Sequence, residues 1–271
     1  MNNEELKKHA RNIRRNIIKE VYNAQSGHPG GSLGAADILT ELYFEVMDIT
    51  PENAGTRDRD RFVLSKGHVS PLLYAVLAEK GIIPEEELMT FRKLDSKLQG
   101  HPNMNYVKGV DMSTGSLGQG LAAADGMALA NKLDGNDHRI YALVGDGESE
   151  EGEIWEAAMA AHHYKNDNLC AVIDVNGLQI DGKTDDVIGP NPLGDKFAAF
   201  GWHVIEVNGH DFDELRAAFK EAKETKGVPT AIIAHTVKGK GVSFMENQAG
   251  WHGKAPNEEQ YKQALAELEA E

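Results

Sequence analysis

An α/β fold with a central, mainly parallel sheet is predicted by three features of this sequence. Short runs that are apolar almost throughout, such as Ile140-Tyr-Ala-Leu-Val144 and Leu169-Cys-Ala-Val-Ile-Asp-Val175, recur along the chain. Stretches with helical periodicity separate them, and strands buried on both faces by covering helices read in this way. The 28 glycines gather in knots at 27–34, 115–120, 145–152 and 239–241. Knots between apolar runs mark tight turns or close approach of backbone to a ligand.

Each element has its own signal. Leu6, Ala10, Ile13, Ile17 and Val21 form a stripe at helical spacing and predict an opening helix. Residues 35–47 predict a second helix after the first glycine knot. Residues 61–65 read as a short buried strand and 71–80 as a helix. The Ala-rich stretch 118–133 reads as a longer helix, followed by a strand at 140–144, a helix at 153–164 and a strand at 169–175. Strands at 203–207 and 230–237 complete the set. Between them Asp211 and Glu214 make a cap-like pair ahead of Leu215 and Phe219. Tyr261, Leu265 and Leu268 share one face of a final helix, which reads as a natural ending rather than a truncation. In sheets of this kind ligands bind beyond the carboxyl ends of the strands, so the loops after Val144, Val175 and Val237 come first in a search for chemistry.

Composition narrows the function classes. With 271 residues, 41% hydrophobic and 26% charged, the chain can bury a sizeable core. No linker-like tract or fixed-period repeat divides it, so one domain over 1–271 is expected. A balance of 28 Lys and Arg against 43 Asp and Glu gives a net charge of −15. Nucleic acid and anionic membranes are poor partners for such a surface, and an anionic substrate must be held by local groups. The single cysteine, Cys170, excludes an intrachain disulfide and fits a reducing compartment. The N-terminal Met1-Asn2-Asn3-Glu4-Glu5 lacks a signal-peptide core, and no apolar run approaches a membrane span. A soluble, cytoplasmic protein is the expectation.

The sharpest motif is Gly145-Asp146-Gly147 at the end of one strand, with Asn176 directly after the next and 28 residues, 148–175, between them. Two neighbouring parallel strands would then each present an oxygen ligand. A carboxylate, a carboxamide and a backbone carbonyl suit Mg²⁺, which takes few protein oxygens and completes its octahedron with phosphate and water. The glycines let a diphosphate lie against the backbone. A calcium loop is the competing reading, but its ligand spacing is absent. Gly118-Gln-Gly120-Leu-Ala-Ala123 formally fits a dinucleotide fingerprint, yet no convincing strand precedes it. Its helix start still offers free N–H groups to an anion.

This Gly-Asp-Gly and Asn pattern resembles the motif of thiamine diphosphate enzymes, and further motifs narrow it. Ser26-Gly-His28-Pro-Gly-Gly-Ser-Leu, Asp60-Arg-Phe-Val-Leu-Ser-Lys-Gly-His68, Gly100-His101-Pro102, Thr114-Gly-Ser-Leu-Gly-Gln-Gly120 and Trp251-His252-Gly253 resemble transketolase, in the order of that family, from about residue 10 to residue 256. The resemblance implies a three-layer αβα thiamine diphosphate-binding fold. It implies that Asp146, Asn176 and the carbonyl of Leu178 hold Mg²⁺, replaceable by Ca²⁺ or Mn²⁺. Gly115, Ser116, Leu117 and Gly147 would lie along the cofactor and Ile180 near its rings. His68, Lys238, Asn176 and His252 would also touch the cofactor. His28, His101 and His252 would surround the reacting carbons of a ketose, and Glu151 would stand in a proton path at a subunit interface. As structure alone, Glu151 could equally complement a helix start, and Lys238 could be a solvated loop charge.

The implied reaction moves a two-carbon ketol unit from a ketose phosphate to an aldose phosphate. Transketolases of the usual kind are more than twice this length, and their middle domain binds the cofactor's pyrimidine ring. The expectation is therefore an N-terminal subunit of a split transketolase, with the pyrimidine-binding and C-terminal domains on a partner chain in an α2β2 assembly. Alternatives are the alpha subunit of a 2-oxo acid dehydrogenase, a specialised ketolase for an unusual sugar phosphate, and a non-catalytic cofactor-binding pseudo-subunit. The dehydrogenase has no use for the three substrate-site histidines, and the intact Asp146, Asn176 and histidines speak against a pseudo-subunit.

Overall fold

The computed structural model describes residues 1–270. Its first helix, α1 (Asn3–Ala24), starts in a capping box in which Asn2 and Glu5 satisfy each other's backbone N–H groups. The stripe Leu6, Ala10, Ile13, Ile17 and Val21 is buried, as its spacing predicts. Next come α2 (Pro29–Gly34) and α3 (Ala36–Glu41), then β1 (Arg61–Leu64), α4 (Ser70–Glu79) and α5 (Gln119–Asp134). β2 (Ile140–Gly145), α6 (Gly152–His163) and β3 (Leu169–Val175) follow. A two-stranded ribbon, β4 (Leu178–Gln179) with β5 (Gly182–Lys183), precedes α7 (Thr184–Val187) and α8 (Leu193–Ala199). The chain closes with β6 (His203–Asn208), α9 (Phe212–Glu224), β7 (Thr230–His235) and α10 (Glu258–Ala270).

Five strands form one sheet in the order β1-β2-β3-β7-β6, and every neighbouring pair is parallel. Alternation along the strands divides the core into two layers. Phe62, Leu64, Tyr141, Leu143, Cys170, Val172 and Ile232 point into a core shared with α1, α3, α4 and α9. Val63, Ala142, Val144, Ala171, Ile173 and Ile233 point the other way, into a core built with α5, α6 and α8. Three layers result, and the α/β fold with a parallel sheet stands as predicted.

Two local differences have physical causes. The first glycine knot is not all loop: Pro29 sits at the start of α2, where its missing N–H costs nothing, and the glycines bury the turn among neighbouring segments. The predicted helix at 35–47 accordingly becomes α3 and a wider turn over Leu42–Val46. The β4-β5 ribbon and the short α7 and α8 carry too few residues for a readable period. Among the described residues no helix is long and apolar enough to cross a membrane.

Candidate active site

A cleft of about 270 Å³ opens at the carboxyl ends of β1, β2 and β3. β2 delivers Gly145, Asp146 and Gly147; the loop after β3 delivers Asn176 and Leu178; the turn after β1 delivers Lys66 and His68. Gly115 and Leu117 come from the segment before α5, His28 from the turn before α2, and Lys238 and His252 from the loops after β7. His101 and Ile180 complete the wall. Ser116 and Glu151 do not line it: both are exposed, and Glu151 stands at the cap of α6. Gly31, Lys66, Glu148 and Gln179 line the cleft without having been singled out from the sequence.

The oxygen donors expected for a cation come together here. Asp146 is 3% exposed, and its carboxylate accepts the backbone N–H groups of Gly147 at 2.8 Å and Gly177 at 2.6 Å. Burial, and then the nearby Asp174 carboxylate, push Asp146 up to about 6, a strain that a bound cation would relieve. The Leu178 carbonyl already has a cationic partner, the Lys238 ammonium at 3.0 Å. Carboxylate, carboxamide and carbonyl oxygens suit a hard cation such as Mg²⁺, and a Cβ at Gly147 would meet only the flexible Gln179 side chain, 2.8 Å from its Oε1. The donor set therefore fits a metal-bound diphosphate.

Below the cleft Lys66 pairs with Asp174, both buried, and Thr236 donates its hydroxyl to the same carboxylate. Burial and then Lys66 pull Lys238 down to about 8, so it remains mostly charged at neutral pH. Lys238 also stands 3.0 Å from His252 Nδ1. An ammonium can only donate, so Nδ1 accepts and His252 carries its proton on Nε2.

Three imidazoles crowd the mouth. The rings of His28, His68 and His252 have centroids 5.1, 5.3 and 5.0 Å apart, yet among the described residues no three His, Cys, Asp or Glu side chains are disposed as a metal centre. Burial, and then Arg92, His101 and Lys238, hold His28 down at about 4. Burial and then Lys238 hold His252 at about 3. Burial likewise depresses His68 and His101. All four rings are therefore neutral at physiological pH and can both donate and accept hydrogen bonds. His28 Nδ1 is buried with no partner in the protein, an acceptor or donor left for a ligand.

Fold and cleft define a class: an α/β domain that receives an anionic ligand at the carboxyl edge of its parallel sheet. Residues 6–270 match the family model described as transketolase, thiamine diphosphate binding domain. The 6-deoxy-6-sulfo-D-fructose transketolase subunit SqwG of Clostridium sp. (strain MSTE9) is 47% identical over 267 residues, covering 98% of this chain and 97% of its own. An apulose-4-phosphate transketolase subunit from Phocaeicola vulgatus is 45% identical over 255 residues, covering 94% of this chain and 90% of its own. Transketolase from Campylobacter jejuni superposes with a TM-score of 0.92 at 37% identity, covering 99% of this chain but 43% of that one. The chain belongs to the transketolase family, as a thiamine diphosphate-binding domain of that type.

Proposed function

We propose that this chain is the thiamine diphosphate-binding subunit of a split transketolase, a single diphosphate-binding domain that transfers a two-carbon ketol unit together with a second chain. The observation that carries this reading is the union, in one cleft, of Asp146, Asn176 and the Leu178 carbonyl with the neutral His28, His101 and His252. When bound, the cofactor supplies the nucleophilic carbon and the electron sink that the transfer needs. Asp146, Asn176 and Leu178 would hold Mg²⁺, with Ca²⁺ or Mn²⁺ as substitutes. Gly115, Leu117 and Gly147 would lie along the cofactor with Ser116 beside them outside the cleft wall, His68 would stand near the diphosphate, Lys238 would neutralise it, and Ile180 would pack on the rings. His252 would donate its Nε2 proton to the ketose oxygen, with His28 beside it and His101 at the terminal hydroxyl. Glu151, exposed at the cap of α6, would act at an interface between subunits.

The partner would carry the pyrimidine-binding half in an α2β2 cytoplasmic assembly, in keeping with the subunit names of the two relatives and with the chain's near-complete coverage of them. Those names also favour a second, narrower reading, a ketolase for an unusual sugar: they specify 6-deoxy-6-sulfo-D-fructose and apulose 4-phosphate. A ketol-transfer assay with a panel of ketose phosphates and the sulfo-ketose, run with and without the partner chain, tests both. Transfer only in the mixture supports the split enzyme, and the preferred donor decides the substrate. No transfer from any donor by the reconstituted pair would refute the reading.

A further inference from the structure

We propose that Glu148 is a positioning residue whose carboxylate sets the register of three loops around the cleft, an inference that rests on the cleft being a thiamine diphosphate site. Glu148 is 3% exposed and immediately follows Gly147. Its Oε1 accepts the Ser65 hydroxyl at 2.6 Å and the Gly118 backbone N–H at 3.1 Å. Its Oε2 accepts the Gly145 N–H at 2.9 Å. The donors come from three segments, the last of them the turn that holds Glu148 itself. Ser65 follows β1 and leads to His68, Gly118 closes the segment holding Gly115 to Leu117, and Gly145 opens the Gly-Asp-Gly turn.

These loops meet at very close range. A Cβ at Gly67 would lie 2.7 Å from the backbone nitrogen of Gly115, and one at Gly120 would lie 2.5 Å from Ser65 Cα. The Thr114 hydroxyl, also 2.7 Å from a Cβ at Gly67, and the Ser65 hydroxyl, closer still to a Cβ at Gly120, share these contacts, so the hydroxyl that Glu148 holds lies in the seam itself. A two-oxygen acceptor facing three donors supplies the register. Glutamine matches it in size but has one acceptor oxygen, and its amide nitrogen would face a donor. At least one buried donor would then lose its partner.

Glu148→Gln and Ser65→Ala, made in the full chain, test this with two readouts. Backbone hydrogen exchange without cofactor should rise at 65–69 and 115–120 in Glu148→Gln while α1 and α9 keep wild-type protection. Calorimetry with thiamine diphosphate and Mg²⁺ should show Kd raised by about tenfold, the scale of one unsatisfied buried donor, and less for Ser65→Ala. Wild-type exchange in those segments together with wild-type Kd in Glu148→Gln would overturn the proposal. Should Glu148→Gln lose protection throughout, Ser65→Ala decides, and unchanged exchange and Kd in it would count against the clip. A wild-type chain that binds no thiamine diphosphate, alone or mixed with the partner chain, sinks the cofactor reading instead, while exchange still judges the loop register.

Discussion

At the scale of single residues, the site divides its histidines by what they face. His68 is half-buried beside Lys66, and His101 is at the outer wall with Arg92 near it. His101→Ala should lower the rate of ketol transfer by about 100-fold, the usual size of a lost proton-handling group, and leave Kd for thiamine diphosphate within about twofold. His68→Ala should raise that Kd instead. Calorimetry and steady-state rates on the two variants check this, and equal effects on Kd would count against the division. A residue outside the site makes stability depend on pH. Glu20 is fully buried in α1 with neither carboxylate oxygen hydrogen-bonded, and burial raises its pKa well above 4.5. Above pH 4.5 the folded chain holds a proton there that the unfolded chain has lost, so the contribution of Glu20 to stability is greatest below 4.5 and falls as pH rises above it. Glu20→Met should remove that slope and stabilise the chain by about 1–3 kcal/mol at pH 8, read by urea unfolding at pH 4 and pH 8. Most of the site was legible because His28, His101 and Asp146 sit in loops with their own short motifs. Glu148 and Lys66 were not, since their partners, Ser65 and Gly118 for one and Asp174 for the other, lie in segments far apart in sequence. Their adjacency to Gly147 and His68 was the available signal.

At the scale of elements, the sheet was readable because its central strands are apolar on both faces, and a run such as Ile140-Tyr-Ala-Leu-Val144 has no other stable home, while β6 at the edge is only half-buried. Asp211 does cap α9, accepting the N–H groups of Asp213 and Glu214. Short elements escaped because their form depends on what they pack against: α2 contains three glycines, and propensity alone opposes it. The junction of α5 and β1 depends on close approach, and Gly120 carries it. Gly120→Ala would place a methyl group 2.5 Å from Ser65 Cα, against backbone that cannot turn aside. The variant should lose about 1–3 kcal/mol despite alanine's better helix propensity, measured by urea denaturation. A gain in stability would mean that α5 does not pack this closely on the end of β1.

For the whole molecule, the cleft lies on an open edge of the sheet, and its rim carries Ile180 and Leu117, 70% and 38% exposed. Large apolar groups left in water beside a site are the kind of surface that a second chain covers. The chain alone should therefore show ketol transfer near background, with activity rising on titration of the partner and saturating at about one partner per chain. Full activity without a partner would contradict the split arrangement. The claim beneath all of this is that Asp146, Asn176 and the Leu178 carbonyl hold a cation that in turn holds a diphosphate. Calorimetry of thiamine diphosphate binding to the wild type and to Asp146→Ala, each with and without Mg²⁺, addresses it most directly. The expected result is binding by the wild type only when Mg²⁺ is present and none by Asp146→Ala, with both proteins melting within a few degrees of each other. Binding by the wild type without any divalent cation, or undiminished Mg²⁺-dependent binding by Asp146→Ala, would contradict it.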